Sequence, residues 1–338
     1  NGGRQALMEV QRYPADFDGI IAGDPATGTP MQMGRGLVFQ KMLASSEAYL
    51  PQSKVELISK ATLAACDASD GLKDGLIDDP RRCSFKVASD VAACPAGTDS
   101  ATCLTPAQAA AIQKVYDGPA SKGKPLFPGY MVGSEAFAPG PNGATNSLWA
   151  NLILPTPAAA KPADFNLAEG TMRYLVFQPP QPDYDYRTFD FDRDPPLLER
   201  WGKLANATDT NLQKFRARGG KLIMTYGWAD TILQPLMGVN YYEAATQANA
   251  PNADNFMRLF MVPGMAHCAG GIGPDQNDAV TAVIDWVEKG VAPEKIVAKK
   301  IANGTITRSR PLCPYPQVAR YKGQGSIDDA ANFICKAP

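Results

Sequence analysis

The sequence holds a single histidine in 338 residues, and its neighbours suggest chemistry. His267 lies in Pro263-Gly264-Met265-Ala266-His267-Cys268, directly after the apolar run 256–262. A lone loop histidine is commonly no more than a hydrogen-bonded surface residue. A loop at the carboxyl end of a buried strand is where open α/β sheets place their sites, and that position favours a catalytic imidazole. Asp230 occupies the matching place after another apolar run, in Gly227-Trp228-Ala229-Asp230. An Asp there could simply cap a helix. Paired with a histidine on the next strand's loop, it can fix the imidazole tautomer and stabilise the imidazolium.

A nucleophile is expected at the other end of the chain. Asn1-Gly2-Gly3 followed at once by a helical pattern reads as the second half of a tight strand-to-helix turn, where small residues are required. The expected nucleophile is a serine directly before Asn1, with the Asn1 backbone N–H as one oxyanion donor. Taken alone, a glycine-rich start is a weak signal.

A second cluster suits a metal. Asp67, Asp70 and Asp74 are spaced three and four residues apart, with Gly71 and Gly75 allowing sharp turns. Oxygen donors of this kind fit a hard cation, calcium before magnesium, and the spacing is not that of an EF-hand. A solvated acidic turn is the plainer alternative. With no histidine or open-site pattern beside it, the expected role of the ion is structural.

The cysteines number seven. Cys66 and Cys83 flank the acidic loop, Cys94 and Cys103 bracket a short polar loop, and Cys313 and Cys335 lie near the C-terminus, which leaves Cys268 over. Spacing does not fix connectivity. No zinc-type spacing occurs, so a disulfide framework is expected, and with it a secreted or periplasmic location.

These residues need elements to position them. Ala6, Leu7, Val10 and Tyr13 recur at helical spacing, Pro14 ends that helix, and residues 17–22 suit a buried parallel strand. The same rhythm returns at residue 208, with strands over 221–226 and 256–262 and an amphipathic helical face of Val280, Val283, Ile284 and Val287. Between them, residues 27–207 are loop-rich, with helical stretches at 54–66 and 106–116 and an aromatic, acidic segment at 178–196. The expected organisation is a core from 1–26 and 208–338 interrupted by an insert at 27–207. Phe127, Tyr130, Trp149, Tyr174 and Phe177 of the insert suit a small core more often than a pocket, and none is assigned to a site. Net charge is −1, which favours neither nucleic acid nor an anionic membrane as partner. No stretch reaches the ~18 apolar residues of a spanning helix.

Together the motifs resemble the tannase and feruloyl esterase family of α/β-hydrolases. NGGRQALMEVQRYPADFDGIIAGDPA resembles the family's segment from the nucleophile turn through the next strand, CDASDGLKDGLIDDPRRC its calcium loop, and GWAD and PGMAHCAGG its acid and histidine motifs. The likeness extends over nearly the whole chain. It implies the C-terminal part of an α/β-hydrolase core carrying a disulfide- and calcium-stabilised lid at 27–207. It also implies a Gly-Cys-Ser-x-Gly-Gly turn, with the cysteine and serine just upstream of Asn1 and Cys268 bonded to that upstream cysteine. Main-chain carbonyls of Leu72 and Leu76 would join Asp67, Asp70 and Asp74 around calcium. The implied activity is ester hydrolysis with aromatic acids on the acyl side: ferulate and related hydroxycinnamates first, gallate second, terephthalate half-esters third. Two rival readings are an amide or thioester hydrolase with the same triad, and a calcium- and disulfide-stabilised binding module with a degenerate triad. A core cut before Asn1 would expose a parallel sheet edge, so an N-terminal segment of the same protein is the expected partner.

Overall fold

A computed structural model describes residues 1–38, 40, 46–139, 145–150, 153–154 and 162–338, by backbone alone at 163, 164 and 166. Parts of the 27–207 insert therefore lie outside the described residues. Helix α1 spans Gly2–Arg12 and buries Leu7 and Val10, two of the residues whose spacing predicts it. Strand β1, Gly19–Gly23, follows. After the insert come β2, Lys221–Gly227, helix α2, Pro235–Ala248, β3, Met257–Val262, and helix α3, Ala279–Lys289. Strands β4, Ile296–Ala302, β5, Thr305–Leu312, β6, Val318–Tyr321, and β7, Phe333–Lys336, close the chain as two antiparallel pairs.

The sheet that positions the site is parallel, in the order β1-β2-β3. Strand β2 is central, and Leu222, Ile223, Met224 and Tyr226 are wholly buried. Burial on both faces explains why the consecutive Leu222, Ile223 and Met224 are all apolar rather than alternating with polar residues. Each such side chain contributes about 1.5–3 kcal/mol of burial free energy. The register sets Gly23 beside Thr225 and Gly227 beside Val262. The carboxyl ends of β2 and β3 therefore finish level and β1 ends two residues short of them, so the loops beginning at Asp24, Trp228 and Pro263 emerge from the same end of the sheet.

One sequence expectation needs correction. In α3 only Val283 of the four valines and isoleucines named above is buried; Val280, Ile284 and Val287 are exposed. The buried face is Ala279, Val283 and Trp286. Gly19 explains the placement: a Cβ there would sit 3.0 Å from Val287 Cγ2 and 3.1 Å from Val283 Cγ2. The helix lies across β1, an outer strand, and the neighbouring β2, so only the face of Ala279, Val283 and Trp286 meets the sheet.

The insert has an apolar cluster of its own, including Val55, Ile58, Ile112, Val115, Tyr130, Trp149 and Tyr186. Its helix Pro106–Asp117 begins with a reciprocal cap between Thr105 and Gln108. The chain leaves and rejoins the core at one place. Ala207 N–H donates to the Thr27 carbonyl at 2.8 Å, and Thr29 N–H to Asn206 Oδ1 at 2.8 Å.

The start of α1 is held very close to the end of β1. A Cβ on Gly3 would lie 2.1 Å from the Gly23 carbonyl oxygen and 2.9 Å from Pro25 Cα, both main-chain atoms, whereas Gly2 has nothing within 4 Å. Gly3→Ala is expected to cost about 1–3 kcal/mol in urea unfolding. Gly2→Ala should stay within about 0.5 kcal/mol in the same measurement.

Candidate active site

His267 Nδ1 and Asp230 Oδ2 are 2.9 Å apart. The two loops that carry them are tied to each other through the backbone. Trp228 N–H donates to the Val262 carbonyl at 3.0 Å, and Ala229 N–H to the Met265 carbonyl at 3.0 Å. Close approach requires a glycine at the end of β2, since a Cβ on Gly227 would meet the Met265 carbonyl oxygen at 2.3 Å. Asp230 is completely buried, and its Oδ1 accepts from Ile232 N–H at 2.8 Å and Leu233 N–H at 2.9 Å. The carboxylate is thus held by main-chain donors on one oxygen while the other faces the imidazole.

Burial of the His267 ring opposes a positive charge. The hydrogen bond to Asp230 and the neighbouring Cys268 sulfur outweigh that effect and push its pKa up to about 10. The sulfur's share applies to a thiol; in a disulfide it would vanish. Cys268 is exposed and in the left-handed region at φ 61°, and it is the free cysteine among the described residues. The other six pair as Cys66–Cys83, Cys94–Cys103 and Cys313–Cys335.

His267 and Asn1 line the same cavity, of about 400 Å³. Arg4, Gln32, Ile232 and Leu233 contribute from the core side and the insert's first helix, while Leu167, Thr171, Leu175 and Trp201 contribute from later in the insert. Sequence reasoning did not single out any of these. The aromatics it considered lie elsewhere: Trp149 and Tyr130 are core residues of the insert, Phe127 and Phe177 pack partly against that core, and Tyr174 is exposed. A larger groove, about 1200 Å³, runs between α2 and β7 and touches none of the site residues.

Asp24 was also missed, because Gly23-Asp24-Pro25 reads as a strand breaker. Its side chain is 3% exposed, and a carboxyl oxygen of Asp24, one of Asp230 and a ring nitrogen of His267 all lie within 4.8 Å of one another. The signal in the sequence was an acidic residue ending a strand that neighbours the one before Asp230.

The chain belongs to the tannase and feruloyl esterase family. A sequence profile of that family, described as "Tannase and feruloyl esterase", matches residues 1–336. Mono(2-hydroxyethyl) terephthalate hydrolase from Piscinibacter sakaiensis is 36% identical over 381 residues, covering 100% of this chain and 62% of the relative. A probable feruloyl esterase from Arthroderma benhamiae is 33% identical over 346 residues, covering 99% of this chain and 62% of the relative. Feruloyl esterase B from Aspergillus oryzae superimposes with a TM-score of 0.84 at 28% identity, over 99% of this chain and 67% of that structure. The chain therefore has an α/β-hydrolase-type fold, and it spans a little under two thirds of the length of the two sequence relatives.

The acidic loop buttresses the site from behind. Asp67–Asp70 form one 3-10 turn ended by Gly71 at φ 93°. Asp67 Oδ1 accepts from Asp74 N–H and Gly75 N–H, each at 3.1 Å, Asp70 Oδ1 from Leu72 N–H at 2.8 Å, and Asp74 Oδ1 from Leu76 N–H at 3.1 Å. Three arginines grip it from the C-terminal strands. Arg310 pairs with Asp74, Arg308 donates to the Asp74 carbonyl at 2.9 Å, and Arg320 to the Asp70 carbonyl at 2.7 Å. Leu76 Cδ2 lies against Gly264 of the histidine loop, 3.0 Å from where a Cβ would stand. Arg81, bound to Asp79, lies over the Trp228 ring at 5.1 Å, two residues from Asp230.

Asp230→Asn removes the charged partner of the imidazole and admits the wrong tautomer. In the full-length protein it should lower kcat for any ester substrate by about 10⁴-fold. The imidazole should titrate well below the native value in a pH-rate profile, because the hydrogen bond that raises it most is lost.

Proposed function

We propose that this chain forms part of a secreted serine carboxylic ester hydrolase acting on esters of aromatic acids, hydroxycinnamates such as ferulate first. The observation that carries the reading is the Asp230–His267 contact beside a cavity shared with Asn1. In the proposed reaction, a serine preceding Asn1 attacks the ester carbonyl. Its proton passes to His267, which delivers it to the departing alcohol as the C–O bond breaks, and Asp230 orients the ring throughout. The Asn1 N–H, on the residue that caps helix α1 and without an intrahelical acceptor, suits the developing oxyanion. Water then attacks the acyl-enzyme with His267 as base, releasing the acid.

The names of relatives support the substrate class. Two of them are named as a probable feruloyl esterase and a mono(2-hydroxyethyl) terephthalate hydrolase, and both kinds of substrate present an aromatic acyl group. Gallate esters come second in order of expectation and terephthalate half-esters third. Leu167, Leu175 and Trp201 give the cavity apolar faces for such a ring. The insert would serve as its lid. The three disulfides support an oxidising compartment, and no helix among the described residues is long and apolar enough to cross a membrane.

Two further parts of the proposal concern what completes the structure. Among the described residues β1 pairs on one side only, and the exposed Val287 lies against Gly19 of that strand. Both features support an N-terminal segment that adds strands there and brings the serine, with a cysteine bonded to Cys268. The second part is structural calcium. What supports it is acidic crowding, since Asp67, Asp70 and Asp74 share the loop with the buried Asp78, whose pKa burial and then the Asp70 charge push up to about 7. Asp67, Asp70 and Asp74, with the carbonyls of Leu72 and Leu76, would hold the ion, which would supply positive charge to a crowded acidic loop.

Three measurements test these readings. A fluorophosphonate should add to a serine on the peptide ending at Arg4, and His267→Ala should abolish the labelling; normal labelling of the variant would exclude His267 as the base. Turnover of methyl ferulate, methyl gallate and a terephthalate half-ester would then rank the acyl groups. Chelation should lower Tm, by about 3 °C per ~2 kcal/mol lost at this size, with calcium restoring it.

A further inference from the structure

Strand β1 does not end as its neighbours do. Asp24 continues the ladder by one bond, its N–H donating to the Thr225 carbonyl at 2.9 Å, and then turns into the left-handed region at φ 39°. That conformation is tolerated by Asp more readily than by most residues. The turn takes the Asp24 main-chain carbonyl out of the ladder, and the side chain replaces it: Oδ1 accepts from Gly227 N–H at 2.9 Å. A carboxyl oxygen of Asp24 lies within 4.8 Å of one of Asp230 and of a ring nitrogen of His267.

Two carboxylates buried this close cannot both carry charge at neutral pH. The hydrogen bonds decide which one holds the proton. Asp230 receives two main-chain N–H groups and faces the imidazole, whereas Asp24 receives one N–H. We propose that Asp24 is a positioning residue of the site, a neutral carboxylic acid that donates a hydrogen bond to the Asp230 carboxylate and holds it against His267. The proposal rests on the hydrolase reading above.

The surroundings agree. Burial, and then the Asp230 charge, push Asp24 up to about 8, against the lowering effect of Gly227 N–H and His267. The other titratable groups facing the pair are Tyr226, fully buried and held neutral by that burial, and Cys268 beside the imidazole. A neutral donor spreads the Asp230 charge over two carboxyl groups without adding a second one, which tempers the basicity given to His267. Above about pH 8 the Asp24 proton leaves, the donated bond becomes repulsion, and the acid that orients the imidazole is no longer held.

The test uses the full-length protein. Asp24→Asn keeps an acceptor for Gly227 and an N–H donor for Asp230 but cannot ionise. It should lower kcat a few-fold with KM unmoved, and it should remove the alkaline fall in kcat/KM expected near pH 8 for the native protein. Asp24→Leu removes acceptor and donor together and should lower kcat by about 100-fold with KM within about twofold. A second readout does not need activity. Because the folded pKa lies above the unfolded value of 3.8, native stability should fall as pH rises from about 4 through about 8. The Tm of Asp24→Asn, measured beside it, should lack that fall, so the difference between the two should widen towards alkaline pH. An unchanged alkaline limb in Asp24→Asn, or parallel Tm curves, would overturn the proposal. Loss of turnover and of fluorophosphonate labelling in the native protein would instead sink the hydrolase reading, and the Tm comparison would still decide the protonation of Asp24.

Discussion

The contact between one buried carboxylate and one imidazole governs how the rest of the molecule has to be built. Asp230 and His267 belong to loops 37 residues apart in sequence, and their 2.9 Å contact exists because β2 and β3 are parallel neighbours that end level with each other. A shift of one residue in that register would turn every side chain to the opposite face and move the loop origins by roughly 3.3 Å, outside hydrogen-bond reach. The fully apolar burial of β2, the glycine at 227 and the main-chain bonds from Trp228 and Ala229 all serve to keep the two loops in step.

The charge in that contact also has to be contained. A buried carboxylate is costly unless its oxygens are satisfied, and Asp230 meets this with two main-chain donors and the ring. The surrounding layers then limit movement. Leu76 braces the histidine loop, Arg81 lies over Trp228, and Arg308, Arg310 and Arg320 anchor the acidic loop that presents both. In this arrangement the acidic loop acts on the site through packing, at a remove from the reacting atoms.

Much of this was legible in the sequence because it is local. Strands that are apolar throughout, a proline after a helix, and glycines next to Asp230 and His267 leave marks at fixed spacings. The paired identity of Asp230 and His267 could be read from the order of two motifs. What could not be read is set by contacts across the fold. Asp24 looks like punctuation between Gly23 and Pro25 until β1 is laid beside β2. The face that α3 buries depends on Gly19 and on the strand order, so a pattern of Val280, Val283, Ile284 and Val287 indicated a helix and misjudged its seat. The cavity residues Leu167, Thr171, Leu175 and Trp201 have no distinguishing spacing, since they are gathered by the path of a loop-rich segment.

The meeting of Thr27 with Asn206 and Ala207 bears on how proteins of this type diversify. The ends of the insert are fastened to each other, so its length and composition can drift, or be exchanged between relatives, while the strand ends keep their places. The walls of the cavity and its imidazole–carboxylate pair can then change on separate tracks, since Leu167, Leu175 and Trp201 belong to the insert while Asp230 and His267 belong to the core. The stretch from Cys66 to Cys83 is the exception. It travels with the insert in sequence but leans on both catalytic loops, so a graft that replaced it would have to bring an equivalent brace.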